Sequence, residues 1–113
     1  MFARVATFDD IDLEAMGPVT KWLEEHGPEL SGQMPGYEGA ISLLDRQNKR
    51  AIEIFLFDNE ANARTADELL DEGPPAEMPE ELKEVALSGT RSFRGVFQVT
   101  DADGLAAGVL EGG

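Results

Sequence analysis

Apolar and polar residues alternate in four stretches of the chain, and each alternation predicts a strand. In the first, Phe2, Arg4, Ala6 and Phe8 share one face, and Ala3, Val5 and Thr7 share the other. The second and third strands, Tyr37 to Leu44 and Arg50 to Phe57, flank a polar turn from Asp45 to Lys49 and read as a hairpin. The turn lacks the Asn-Gly or Asp-Gly of a two-residue connection, so a longer one is expected. Along the third strand Ile52, Ile54 and Leu56 oppose Ala51, Glu53, Phe55 and Phe57. The fourth, Thr90 to Thr100, sets Phe93, Phe97 and Val99 against Arg94, Val96 and Gln98.

Between these strands the apolar spacing becomes helical. Val19, Trp22, Leu23 and His26 mark one face of a helix predicted over Ile11 to His26, with Asp9 and Asp10 as caps and Gly27-Pro28 as its stop. Gly17-Pro18 interrupts it and predicts either a kink or a short turn followed by a new helix. Asp58 or Asn59 caps a second helix running to about Glu72, whose face is built of Ala63, Ala66, Leu69 and Leu70. Gly73-Pro74-Pro75 breaks it, and Pro79 opens a second short helix with an apolar side of Leu82, Val85 and Ala86, ended by Gly89.

The resulting order is strand, helix, strand, strand, helix, strand. It predicts an α+β, ferredoxin-like β-α-β-β-α-β domain with an antiparallel sheet over residues 1–100, followed by a tail over 101–113. Helices cover one sheet face. The other is left with apolar side chains, assigned from the pattern as Phe2, Phe55 and Phe57. No further segment is available to cover them, so a second copy of the chain is the expected partner.

Composition narrows the function classes. The 113 residues fit one domain, and a 42% apolar content suffices for a folded core. Nine basic residues against 23 acidic ones give a formal charge of -14, which opposes binding to nucleic acid or anionic lipid. Cysteine is absent, which removes disulfides, thiolate nucleophiles and Cys-ligated metal. No apolar run approaches the roughly 18 residues of a membrane span, and the first residues read as strand rather than signal segment. A cytoplasmic protein is therefore expected. No nucleotide-binding glycine loop or nucleophile elbow occurs, and no cofactor is expected.

The segments MFARVATF, PGYEGAISLLDR, AIEIFLF and SFRGVFQVT resemble the dimeric α/β-barrel superfamily. Within it the chain is most similar to the small proteins related to antibiotic-biosynthesis monooxygenases, many of them uncharacterised. The similarity spans about Met1 to Thr100, and its most specific part is Pro35-Gly36-Tyr37-x-Gly39 followed by Leu43-Leu44-Asp45-Arg46. It implies a homodimer in which two sheets close into a barrel. Haem-degrading members carry an asparagine in the first strand, a tryptophan near the end of the third and a histidine on the second long helix. This chain has Ala6 and Thr7, Phe57, and no histidine between Asn59 and Glu72, so haem degradation is not expected.

Three functional readings remain open. One is a cofactor-independent monooxygenase acting on a small aromatic or polyketide-like substrate. Another is a non-catalytic small-molecule-binding or regulatory dimer. The last is a structural member with no open pocket. For the first two, the candidate residues are Arg94, to grip an anionic or enolate-like ligand, Tyr37, to orient a ligand hydroxyl, and Asn59, as a polar clamp. Each has a bland counterpart: an ion-paired arginine, a half-buried aromatic and a helix cap. His26, the single histidine, reads first as a helix-end group.

Overall fold

The computed structural model describes residues 1–87 and 89–101. The elements run β1 (Phe2–Asp9), α1 (Met16–Ser31), β2 (Tyr37–Asp45), β3 (Arg50–Phe57), α2 (Glu60–Asp71), α3 (Glu80–Ala86) and β4 (Thr90–Gln98). The four strands form one antiparallel sheet in the order β2-β3-β1-β4. The α+β class and the antiparallel sheet agree with the sequence reading, and the arrangement is compatible with a ferredoxin-like fold. Two helices connect β3 to β4, the second being the short one predicted after Pro79. The predicted tail lies outside the described residues, save Asp101.

Strand parity follows the alternation. Phe2 pairs with Phe57, Arg4 with Phe55 and Ala6 with Glu53, so these side chains share one face. This is the face under α2. Ala63 and Ala66 on α2 are fully or almost fully buried, and with Phe57 and Met34 they form the core. Their small side chains let the helix approach the sheet closely, where a branched side chain would hold it off.

The opposite face carries Val5, Ile41, Leu43, Ile52, Ile54, Phe93 and Phe97. Leu43, Phe93 and Phe97 are 48%, 45% and 48% exposed. The Phe93 and Phe97 rings lie 5.8 Å apart, and both reach over Gly95. An open apolar face is therefore present, but its residues differ from those expected. Phe57 is fully buried beneath α2, and Phe2 and Phe55 pack against the same core. Alternation separates two faces without saying which one the helices take.

Helix α1 also departs from expectation. It begins at Met16, after a turn in which Asp12 Oδ1 accepts from the Ala15 N–H at 3.2 Å. The predicted caps Asp9 and Asp10 do not fill that role; Asp10 instead takes a positive φ of 57°. The helix then runs through Gly27-Pro28 to Ser31. Pro28 removes one helical donor without ending the helix, and its carbonyl accepts from both the Ser31 hydroxyl and the Gly32 N–H. α1 packs against α3, whereas α2 lies against β1, β3 and β4.

Candidate functional site

The helix-facing side of the sheet holds the polar groups of greatest interest. Arg4 is 3% exposed, and its Nε donates to Asp67 Oδ1 at 3.0 Å. Asp67 also lies 3.9 Å from Arg94. Arg94 reaches Asp71 at 2.7 Å, and Arg91 reaches the same carboxylate at 2.6 Å. The result is a ladder of three arginines and two aspartates that ties α2 to β1 and β4. The Arg91 hydrogen bond, together with the charges of Arg94 and Arg91, holds the Asp71 carboxyl below the usual carboxylate range.

Beside this ladder stands Glu53. It lies between Ala6 of β1 and Ser42 of β2 in the cross-strand rows. The Ser42 hydroxyl donates to Glu53 Oε2 at 2.9 Å. Burial pushes the Glu53 carboxyl up, and this outweighs the Ser42 hydrogen bond and the nearby Arg4 charge, both of which pull it down.

Tyr37, Arg94 and Asn59 do not form one constellation. Tyr37 shares a row with Phe57, Phe2 and Gln98, while Arg94 shares one with Ala6, Glu53 and Ser42. They lie on opposite edge strands and four residues apart along β1, which puts their backbones about 20 Å apart from strand spacing and rise. Arg94 is occupied by Asp67 and Asp71. Asn59 is the cap of α2, its Oδ1 accepting from the Asn62 N–H at 2.8 Å. Tyr37 packs edge-on to Phe57 with centroids 6.0 Å apart and lies 6.3 Å from Phe55. Burial raises its phenol above the ordinary value.

His26 stacks on Trp22 with ring centroids 4.1 Å apart, and its Nδ1 lies 2.9 Å from the Trp22 carbonyl. A carbonyl oxygen only accepts, so Nδ1 carries the hydrogen. Arg4, Arg91 and Arg94 each have a carboxylate partner, and at the hairpin turn Arg50 reaches Asp45 at 3.5 Å.

Among the described residues, one hollow lies beside the turn before α1 and another at the hairpin. One of about 590 Å³ is lined by Asp10, Ile11, Asp12, Leu13, Glu14 and Lys49. The other, about 210 Å³, lies at the hairpin between Leu43, Leu44, Asp45, Arg50 and Ile52. Neither includes Tyr37, Asn59 or Arg94. Among the described residues no cluster of three or more metal-ligating side chains occurs, and no helix is long and apolar enough to cross a membrane.

Sequence reasoning passed over Glu53, Ser42 and Asp67. The signal for Glu53 was an acid placed mid-strand on the face it shares with Phe55 and Phe57. No protein-family model matches the chain, and no curated protein matches it.

Proposed function

We propose that this chain is the subunit of a homodimer of the dimeric α/β-barrel kind, with a ferredoxin-like fold, and that its function lies in that assembly rather than in a pocket between helix and sheet. One observation carries the reading: the apolar face formed by Val5, Ile41, Leu43, Ile52, Ile54, Phe93 and Phe97 opposite α2. Four strands of about eight residues give a flat projection of roughly 500 Å² before side-chain relief. With that relief, the face is of the order of the ~800 Å² per partner found in stable interfaces. A second copy supplies the same shape and the same apolar character.

Catalysis by the monooxygenase route has less support. The anion-gripping arginine is held by two carboxylates, and the phenol stands far from it.

Native mass spectrometry of the freshly purified chain tests the assembly. The expected mass is twice 12.3 kDa. Ile54→Asp combined with Phe93→Asp, which places two charges on the open face, is expected to return the monomer. A chain that stays monomeric at concentrations of tens of micromolar sinks the dimer. In that case its apolar face is covered from within the chain or by another protein.

A further inference from the structure

Burial is uneven across the open face of the sheet. Gly39, Leu56, Ala3 and Phe97 stand side by side in one cross-strand row. Leu56 is 5% exposed and Ala3 7%, and Gly39 is buried too. Their described neighbours do not account for this. Leu56 is flanked by a glycine and an alanine, both too short to wall in a leucine. Two residues earlier on the same strand and face, Ile54 is flanked by the larger Val5 and Ile41, yet it is less deeply buried. The Phe97 ring, beyond Ala3, is turned to Phe93 above Gly95. Met1, the next residue on that side of β1, is itself exposed. A Cβ at Gly39 would meet no described atom within 4 Å outside its chain neighbours. Helix α2 takes the opposite face, and α1 packs against α3. The row is buried, but no described element covers it.

We infer that the row Gly39–Leu56–Ala3 is the docking surface for the C-terminal segment, residues 102–113, of the same copy of the chain. β4 ends at Gln98, one residue past the row, and the Val99 N–H donates to the Met1 carbonyl, so the chain leaves the sheet beside the row. From β4 to β2 the row spans three strand spacings, about 14 Å. The segment, fully extended, reaches roughly 40 Å, which crosses the row with length to spare. Between Asp103 and Glu111 it carries no charge, in a chain whose residues are 28% charged. Leu105, Val109 and Leu110 supply the apolar bulk that Gly39 and Ala3 leave room for. The far row of the face, Leu43, Ile52, Thr7 and Phe93, stays open to a second copy, so the two occupants do not compete.

The test is methyl NMR of the full chain, labelled at Ala, Val and Leu. Nuclear Overhauser contacts are expected from the Leu56 methyls to those of Leu105, Val109 or Leu110. Leu105→Asp combined with Leu110→Asp is expected to abolish them, to shift the Leu56 and Ala3 signals and to leave Leu43 unmoved. The same variant is expected to melt several degrees lower. In a mixture of labelled and unlabelled copies, the contacts are expected within labelled copies and not across to unlabelled ones. Contacts that appear only across copies overturn the same-copy seat and give the segment to the partner. If the parent shows no such contacts and the variant leaves the Leu56 signal in place, the seat itself is overturned. The dimer is judged separately, because a chain that is monomeric by mass is still expected to show the contacts.

Discussion

At the scale of the residue, Glu53 shows how burial and charge set a stability profile. Burial raises its native pKa above the ordinary 4.5. Well below that value the carboxyl is protonated in both folded and unfolded chains, and its full contribution is present. As pH rises through the raised native pKa, the unfolded chain releases the proton more readily, and stability is lost. Glutamine does not ionise and escapes the loss. Glu53→Gln is therefore expected to melt higher than the parent at pH 7, with the difference vanishing in acid well below pH 4.5. Melting curves across that range check it; a lower melting temperature at neutral pH would show that the ionised carboxylate has a compensating partner in the folded chain. Gly36 belongs to the same scale. Its φ is 74°, and a Cβ there would strike the Asp58 carboxylate and the Asn62 amide, which are themselves bonded at 2.7 Å. The glycine of the Pro-Gly-Tyr motif thus marks a backbone constraint at the entry to β2.

At the scale of the element, what the sequence discloses depends on whether the cause is local. The strands were legible because a period of two is written directly in residues such as Ile52, Ile54 and Leu56. The cap of α2 was legible because Asn59 bonds three residues ahead. Helix α1 was misplaced at both ends for opposite reasons. Ile11 looked like the first apolar helical position but is buried in the turn before the helix, its N–H bonded to the Lys49 carbonyl at 3.0 Å. Pro28 looked like a stop, yet the helix continues beyond it for three residues. Neither contact is visible in local spacing. The Asn59 assignment makes its own prediction. Asn59→Ala is expected to cost about 1 kcal/mol of unfolding free energy through loss of the cap. Urea denaturation measures it; a variant as stable as the parent would show that the bond to the Asn62 N–H adds nothing to the fold.

At the scale of the whole molecule, the candidate site was less legible than the fold because it depends on which face the helices occupy. Arg94 was singled out as a strand arginine, and its parity was right, but its partners Asp67 and Asp71 lie on α2 and could not be assigned before that helix was placed. The same uncertainty put Phe57 on the open face, when it is the fully buried centre of the core. The open face and the acid excess now act against each other. Each copy carries -14, so the proposed dimer brings two strongly acidic bodies together around an apolar contact. The attraction is close to independent of salt, while the repulsion is screened over a Debye length that falls from ~30 Å at 0.01 M to ~8 Å at 0.15 M. Association is therefore expected to tighten as salt rises across that range. Sedimentation equilibrium at several salt concentrations measures this directly. An affinity that instead weakens with added salt would mean that opposite charges, not the Ile54 and Phe93 face, hold the two copies together.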